Sequence, residues 1–394
     1  MATYDFLIIG AGIFGITTAI ELHQKGYKVG ILNPDIIPHP LAASTDISKI
    51  VRMEYGSDTK YMQMADQSID GWKAWNELFQ TTLYHETGFL LLSKKPMDYP
   101  SQAYEWSSYN NLLKFGHHPE RLNEQSIAER YPAIRPGEYV DGFFHSRAGF
   151  AESGRAIGVL TAHARKLGIE VHENQTAAEL IKEAGAIKGV RSRQGTHFSS
   201  GHTIVCAGAF TPYLVPELLP YIRVTGHPVF HIQPNQPDLF SMADFPVIAA
   251  DISNTGWYGF PTHPTEKVIK LANHSEGLKL HPENDERVVL PEDHKALAEF
   301  IKSALPSLVG QPIVYTRRCV YTDTLDGHFW IDQHPALNGL TIGTGGSGHG
   351  YKMGPILGKM ISAAALGEPH PWLERFRWRE LSEQTVNVEE ARGS

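Results

Sequence analysis

Residues 5–15 read DFLIIGAGIFG, a short apolar run that leads directly into the pattern G-x-G-x-x-G. The apolar run predicts a buried strand, residues 16–25 predict a helix closed by Gly26, and residues 27–32 predict a second strand. A glycine pattern alone is a weak signal, but between a strand and a helix it is typical of a dinucleotide-binding β-α-β unit. The start of the chain therefore predicts an α/β domain that holds a dinucleotide.

The glycines of this turn each have a physical reason. Gly10 permits the tight turn, Gly12 lets the backbone approach a pyrophosphate, and Gly15 lets helix and strand pack closely. The free N–H groups and the dipole at the helix N-terminus favour the phosphates. The predicted cofactor-binding residues of this turn are Gly10, Gly12, Ile13, Phe14 and Gly15.

The end of the second strand departs from the usual pattern. An Asp or Glu normally accepts a hydrogen bond from the adenosine ribose there, but this chain has Asn33. An Asn carbonyl also accepts, without the charge, and Asp35 follows two residues later. Two candidates for the ribose ligand therefore stay open.

The composition of the chain limits the classes of protein to which it can belong. The chain has 394 residues, 42% of them apolar and 20% charged, which is enough for two domains with cores of their own. Its net charge of -8, without a long basic run, argues against binding to nucleic acid or an anionic membrane. Only two cysteines are present, and no histidine spacing such as H-E-x-x-H indicates a metal site.

The two ends of the sequence lead us to expect no targeting signal. The first residues run straight into the predicted fold, and the final ARGS differs from a peroxisomal Ser-Lys-Leu address. No apolar run approaches the 18 residues of a membrane span. We therefore expect a cytoplasmic protein without a membrane segment, and we expect a monomer.

The pattern along the chain predicts a discontinuous nucleotide domain. Helices are predicted over residues 59–79 and 355–366, a mostly helical stretch over 100–131, and a strand over 318–331. The nucleotide domain would comprise residues 1–85, 146–215 and 320–394. An inserted, mainly antiparallel sheet domain for the substrate would comprise 86–145 and 216–319. The expected fold class is α/β, with a Rossmann-like domain and an α+β insertion.

A second glycine match, at Gly343, Gly345 and Gly348, follows a predicted strand and precedes a predicted helix. No strand is predicted after that helix, so it does not start a second dinucleotide fold. With one such fold, the dinucleotide is either a nicotinamide that exchanges or an FAD that stays bound.

Two motifs near the end of the sequence resemble a known family. Residues 319–335 read CVYTDTLDGHFWIDQHP, and residues 345–352 read GGSGHGYK. They resemble the signature of the monomeric sarcosine oxidase family, with its pipecolate, saccharopine and fructosyl amino acid oxidases (amadoriases), among the D-amino-acid-oxidase-like flavoproteins. The resemblance covers essentially the whole chain and includes STDISKIVR (44–52), VCAGAF (205–210), WYGFP (257–261) and KLANH (270–274). It implies FAD as the cofactor.

The resemblance also implies how the flavin is held. The cysteine that matches Cys319 bonds through sulfur to the flavin 8α-methyl carbon, whereas Cys206, on a predicted buried strand, is expected to be a core residue. Lys49 matches a basic residue near flavin N5. The further predicted cofactor-binding residues come from the shared motifs: Asn33, Ser44, Ser48, Gly208, Gly346, Gly348, Gly350 and Lys352.

The substrate is expected to carry a carboxylate and an amine. Arg52 and Lys352 match the residues that grip the carboxylate of an amino-acid substrate in the family, although isolated charges of this kind usually lie on the surface. Lys270 matches a lysine that speeds oxygen reduction; its alternative is an edge-strand lysine that discourages aggregation. The residues that match positions around the substrate, or are otherwise plain core packing, are Trp257, Tyr258, Tyr321, His274 and His349.

The predicted reaction is oxidation of a secondary amine of an N-substituted α-amino acid to an imine, with reduction of O2 to H2O2. The predicted catalytic residues are Lys270, Arg52, Lys352, His274 and Lys49. STDISKIVR and FRWR (376–379) lean towards the fructosyl-amine and saccharopine branch, whereas the chain length leans towards sarcosine oxidase. A flavin dehydrogenase that uses an electron carrier and a non-catalytic nucleotide-binding protein are the alternatives.

Overall fold

The computed structural model describes residues 3–382, 384–385 and 389–392. Its α-helices are α1 (Ile13–Gln24), α2 (Thr59–Phe79), α3 (Ala103–Lys114), α4 (Glu124–Arg130), α5 (Ser153–Lys166), α6 (Thr211–Leu214), α7 (Ile252–Thr255), α8 (Pro291–Ala304) and α9 (Gly354–Leu366). Its strands are β1 (Thr3–Ile9), β2 (Val29–Leu32), β3 (Lys49–Val51), β4 (Tyr84–His85), β5 (Phe89–Ser93), β6 (Glu120–Asn123), β7 (Asp141–His145), β8 (Gly149–Ala151), β9 (Glu170–His172), β10 (Ala177–Glu183), β11 (Ala186–Ser192), β12 (His197–Val205), β13 (Ile222–Ile232), β14 (Val247–Ala250), β15 (Trp257–Gly259), β16 (Ile269–Asn273), β17 (Leu278–Lys279), β18 (Ile313–Thr324), β19 (Trp330–Gln333) and β20 (Leu340–Thr344).

The first sheet is built on parallel strands. β1 lies between β2 and β12 and runs parallel to both, β9 continues the sheet beyond β2, and β20 pairs parallel with β12. The inner residues of β1 are buried on both faces, as its unbroken apolar run requires. The predicted β-α-β unit is confirmed, with α1 between β1 and β2. An antiparallel meander of β10, β11 and β12 forms one side of this sheet, and β19 pairs antiparallel with β20.

The second sheet is antiparallel at every pair except that of β5 with β14. It runs in the order β17-β13-β16-β15-β14-β5-β7-β6, and β18 pairs along the whole of β13. A third, small sheet joins β3, β8 and β4. The mixed α/β fold class is as predicted, and the division into two domains stays a prediction.

Local predictions succeeded where the pattern was long and failed where a turn intervened. The helix over 59–79 is confirmed as α2. The stretch over 100–131 is mostly helical, as predicted, with α3 and α4, and the short strand β6 lies between them. The strand over 318–331 is two strands in different sheets, β18 and β19, because a turn with Gly327 at φ +77° reverses the chain between them.

No helix in the part of the chain that the structure describes is both long and apolar enough to cross a bilayer. Within the same residues, no group of three or more His, Cys, Asp and Glu side chains is arranged to hold a metal ion.

Candidate active site

The glycine turn after β1 requires glycine for steric reasons. Gly10 has φ +101°, and a Cβ there would lie 2.4 Å from the carbonyl oxygen of Cys206. A Cβ on Gly15 would lie 1.9 Å from the carbonyl oxygen of Gly10. The glycines therefore place no side chain over the backbone at the N-terminus of α1, where free N–H groups favour phosphate.

Two side chains that lie outside this turn stabilise it by hydrogen bonds. Ser44 Oγ accepts a hydrogen bond from the Ile13 N–H at 3.0 Å, and Asn33 Oδ1 accepts one from the Ala11 N–H at 3.1 Å. The Asn33 amide also donates to the carbonyl of Asp35 at 2.8 Å. Asn33 therefore holds the turn in shape, whichever residue contacts a ribose.

The Cys319 thiol lies beside a cation. Cys319 is buried on β18, and its sulfur lies 3.9 Å from the Lys49 ammonium on β3. Burial by itself raises the pKa of the thiol, but Lys49 and Arg317 outweigh it and hold the pKa below its ordinary value. Less free energy is therefore needed to form the thiolate, the nucleophilic form of cysteine, here than at an ordinary thiol. By contrast, burial raises the pKa of Cys206 well above its ordinary value.

Lys270 forms an ion pair that the sequence did not reveal. Its ammonium donates to Asp46 Oδ2 at 2.7 Å and to the Ser48 carbonyl at 2.6 Å. Asp46 also lies 3.2 Å from His231 and 3.4 Å from Arg317, and its side chain is 1% exposed. Burial raises the pKa of this carboxyl, yet the surrounding cations hold it well below its ordinary value. Asp46, Lys49, Lys270 and Cys319 are called the Asp46 cluster below.

The edge-strand alternative for Lys270 is wrong. Lys270 lies on β16, which pairs with β13 on one side and β15 on the other, and its side chain is buried. Burial lowers the pKa of Lys270 to about 8, against the opposing effect of Asp46. A buried lysine that titrates near neutrality is unusual outside functional sites.

Arg52 and Lys352, called the Arg52 pair below, face the cavity, where the Glu54 and Glu389 carboxylates act on both. Arg52 is 5% exposed, and its Nη1 has no hydrogen-bond partner among the described residues. The Lys352 ammonium donates to the neutral hydroxyl of Tyr55 at 2.9 Å. Burial, and then the nearby Arg52 cation, hold the pKa of Lys352 well below its ordinary value. Both cations are therefore arranged to receive an anion.

Rings hold the Arg52 guanidinium in place. Its Cζ lies 5.3 Å from the ring centroid of Tyr55, 5.7 Å from that of Phe89 and 5.9 Å from that of Tyr104. These cation–π contacts stabilise the charge and leave its N–H groups available for a carboxylate.

A single cavity of about 60 Å³ brings the predicted residues together. Its wall is made of Lys49, Ile50, Arg52, Ile252, Tyr258, Phe260, Lys270, His274, Tyr321, Gly348, His349, Tyr351, Lys352 and Glu389. Trp257 is a correction to the predicted set. Side chains alternate along β15, so Tyr258 faces the cavity while Trp257 stacks on Phe300 of α8 at 4.8 Å.

The two cavity histidines differ in their partners. His349 lies between the Tyr55 hydroxyl, 3.1 Å from Nδ1, and the Gly327 carbonyl, 3.0 Å from Nε2. Burial lowers the pKa of His349 to about 3, so its ring is neutral. The Nε2 of His274 lies 3.0 Å from a carboxylate oxygen of Glu389. Tyr55 and Glu389, like Asp46, were not predicted as site residues.

The sequence profile described as FAD dependent oxidoreductase (DAO) matches residues 5–364. The chain belongs to this family. An L-saccharopine oxidase of Schizosaccharomyces pombe is 28% identical over 416 residues, covering 95% of this chain and 93% of that protein. A monomeric sarcosine oxidase of a Bacillus species is 26% identical, covering 92% of each chain. The structure of a fructosyl peptide oxidase from E. terrenum matches with a TM-score of 0.85 at 22% identity, over 99% of this chain and 95% of that one. This likeness shows that the two share a fold.

Membership of the family identifies FAD as the cofactor, in place of an exchangeable nicotinamide. The site of this oxidoreductase fits the group, because the bare glycine turn leaves room for phosphates at the start of α1. The glycine-rich loop after β20 packs closely on the start of α1: a Cβ on Gly346 would lie 3.6 Å from the Phe14 ring, and one on Gly350 would lie 3.0 Å from it. Gly208, at φ +53°, lies at the start of a turn that follows β12.

The missed residues differ in the signal they left. Asp46 lies inside the quoted motif STDISKIVR, between the predicted cofactor-binding residues Ser44 and Ser48. This position could have indicated that its carboxylate belongs to the site. Glu389 lies in a polar stretch without any periodic pattern, and nothing in its neighbourhood indicates a cavity residue.

Proposed function

We propose that this FAD-dependent oxidoreductase oxidises the secondary amine of an N-substituted α-amino acid to an imine and reduces O2 to H2O2. The observation that carries the proposal is the Arg52 pair, two buried cations that face one cavity with Lys270 and Tyr258. Relatives named for their action on sarcosine and saccharopine support the same substrate class.

The Arg52 pair would bind the substrate carboxylate. A planar guanidinium matches the two oxygens of a carboxylate, and Lys352 adds a point charge. The arriving anion raises the proton affinity of Lys352, whose pKa is low in the absence of an anion.

The rest of the cavity would orient the amine. Tyr258, Tyr321 and the neutral His349 line it, and none of them carries a charge at neutral pH to compete for the carboxylate. Aromatic faces also hold an amine or an imine by cation–π contact. When bound, FAD supplies the two-electron acceptor for the hydrogen on the carbon beside the nitrogen. The remaining rate would come from orientation.

Cys319 would hold FAD covalently through its sulfur. The Lys49 ammonium 3.9 Å away and the lowered pKa of the thiol support this, because the thiolate is the form that makes the carbon–sulfur bond. Lys49 would thus act both on the sulfur and at the flavin.

Lys270 would serve the reaction with oxygen. Its ammonium is held in place by Asp46 and the Ser48 carbonyl, so no reorganisation is needed when negative charge develops on oxygen. Its burial keeps water from screening that charge.

A peroxide-coupled screen of secondary amino acids tests the proposal. The purified protein, with its flavin spectrum recorded, is offered sarcosine, other N-methyl amino acids, pipecolate, saccharopine and fructosyl amino acids. The proposal expects stoichiometric H2O2 in air with at least one of them. Flavin bleaching without peroxide would indicate a dehydrogenase that uses a carrier, and the absence of bleaching with every amine would indicate a non-catalytic protein.

A further inference from the structure

The segment of residues 389–392 brings Glu389 into the wall of the substrate cavity. Glu389 contributes to the same wall as Arg52, Lys352 and His274, although it is more than 100 residues from His274 in the sequence. Its side chain is 6% exposed. This segment therefore places a carboxylate inside a cavity that otherwise presents cations to its ligand.

Two residues that follow Glu389 hold the segment by specific contacts. Arg392 donates to Asp323 at 2.9 Å and to the Ser347 carbonyl at 3.4 Å. On the outer side, the Glu390 carboxylate accepts a hydrogen bond from the Ser57 N–H at 3.1 Å. These anchors join the segment to three separate parts of the chain, so the position of Glu389 is built into the fold.

The Glu389 carboxyl is ionised in this setting. Burial alone raises its pKa, but the contact with His274 and the Arg392 guanidinium, whose Nε lies 3.6 Å from Glu389 Oε2, outweigh burial and hold the pKa well below its ordinary value. The hydrogen bond to His274 at 3.0 Å fixes one of its oxygens. A charge that is buried, held in place and close to the ligand acts on every ionic group that the ligand carries.

We infer that Glu389 selects substrates by charge: beyond the one carboxylate held by the Arg52 pair, it favours neutral or cationic groups and disfavours a second carboxylate. The inference rests on the proposed function and narrows its substrate class. It predicts poor use of saccharopine, which carries more than one carboxylate, compared with N-methyl or cationic N-substituted amino acids.

The expected size of the selection follows from Coulomb's law. Two unit charges a few ångström apart in a half-desolvated cavity interact strongly enough to change binding by about tenfold or more per charge. Glu389 attracts a cationic substrate and repels an anionic one. The ratio of kcat/KM between these two substrates should therefore exceed the ratio of either one to a neutral substrate.

Three N-substituted glycines form a matched series for the test. N-(2-aminoethyl)glycine adds a cation, sarcosine adds a methyl group, and iminodiacetate adds an anion to the same glycine carboxylate. Both kcat/KM and the Kd from perturbation of the flavin spectrum are measured, because Kd does not require turnover. We expect wild type to favour the cationic compound over iminodiacetate, and Glu389→Gln to shrink this ratio by about tenfold.

Two variants control the result. Glu389→Asp keeps the charge and should keep most of the ratio. Glu276→Gln removes a charge from an exposed position two residues from His274 and should leave the ratio within about twofold, because solvent screens that position. A Glu389→Gln protein that retains its flavin spectrum but shows the wild-type ratio would overturn the inference. Proportional loss for all three compounds would also overturn it, since that outcome indicates a structural role alone.

The two proposals fail in different ways. If wild type binds the series with the expected ratio but oxidises no secondary amino acid, the proposed function is wrong and the charge selection stands. If it oxidises sarcosine and iminodiacetate equally well, the charge selection is wrong and the proposed function stands.

Discussion

The two charged regions of the cavity are neutralised in opposite ways. In the Asp46 cluster, the Lys270 ammonium has a buried carboxylate 2.7 Å away, and the same carboxylate lies near Arg317 and His231. In the Arg52 pair, Lys352 has a neutral hydroxyl as its partner, and Arg52 Nη1 has none among the described residues. Lys270 therefore has its counter-charge as a direct hydrogen-bond partner, whereas the Glu54 and Glu389 carboxylates act on the Arg52 pair from farther away.

This contrast has an energetic consequence. A buried cation without a carboxylate destabilises the fold, whereas a buried pair with good geometry is held firmly once formed. The Arg52 pair should therefore cost stability in the absence of a ligand and recover it on binding. The Asp46 cluster should contribute the same stability in both states.

The largest expected effect concerns the sulfur of the Asp46 cluster. Cys319→Ser should abolish covalent attachment completely, because an alcohol beside Lys49 does not ionise as a thiol does. Acid-precipitated wild type should stay yellow, and the variant should release its colour into the supernatant. Cys206→Ser is the matched control, and its pellet should stay yellow. Colour released from the wild type would refute the covalent link.

The second effect concerns the fixed cation. Lys270→Met should slow reoxidation of reduced flavin by about a hundredfold to a thousandfold, because the charge that stabilises developing negative charge on oxygen is gone. Reduction by substrate should change much less. Stopped-flow measurement of the two half-reactions separates these rates, and equal loss in both would argue against an oxygen role.

The pH dependence of reoxidation also tests whether the charge on Lys270 speeds this step. Only protonated Lys270 carries the charge, so the rate should fall as the pH rises through about 8, the pKa of Lys270. The Lys270→Met variant should lack this step. A wild-type rate that is flat between pH 7 and pH 9, or that rises with pH, would contradict it.

The third effect concerns the ligand-binding cations. Arg52→Met should lower kcat/KM for an amino-acid substrate by about a hundredfold, the scale of one charge-assisted, partly buried contact. The corresponding amino alcohol, which has no carboxylate, should lose far less. Arg52→Lys keeps the charge and should recover part of the activity. Equal loss for acid and alcohol would show that Arg52 does not bind the carboxylate.

The smallest expected effect is on the free energy of unfolding, and it compares the Arg52 pair with the Asp46 cluster directly. Lys352→Met should raise the free energy of unfolding of the ligand-free flavoprotein by about 1–2 kcal/mol, because it removes a poorly neutralised buried cation. Asp46→Asn should lower it by about 3–5 kcal/mol, because it leaves Lys270 and Arg317 without their carboxylate. Denaturant unfolding measures both.

An exposed lysine provides the reference for these stability measurements. Lys60→Met, on the surface of α2, should stay within about 0.5 kcal/mol of wild type. If Lys352→Met destabilises the protein as much as Asp46→Asn does, the two regions are neutralised alike and the contrast is wrong.

The nucleotide-binding unit could be predicted from the sequence because its signal is local. The turn with Gly10 and Gly15, the apolar run before it and the helix after it lie within one short segment, and each follows from steric or periodic constraints. The positions of Arg52, Cys319 and Lys352 were predicted through motifs that the chain shares with a known family. Their roles at the cofactor and the substrate stay proposals.

Local sequence patterns do not predict contacts between segments that are distant in the sequence. Lys270 and Asp46 are 224 residues apart, and no periodicity links them. Trp257 and Tyr258 are neighbours in one motif, yet the pleat of β15 sends their side chains to opposite faces. Glu389 reaches the cavity in a segment that Arg392 and Glu390 anchor to remote parts of the chain. Local patterns specify backbone conformation and burial, whereas the pairing of buried charges depends on how the sheets bring remote segments together.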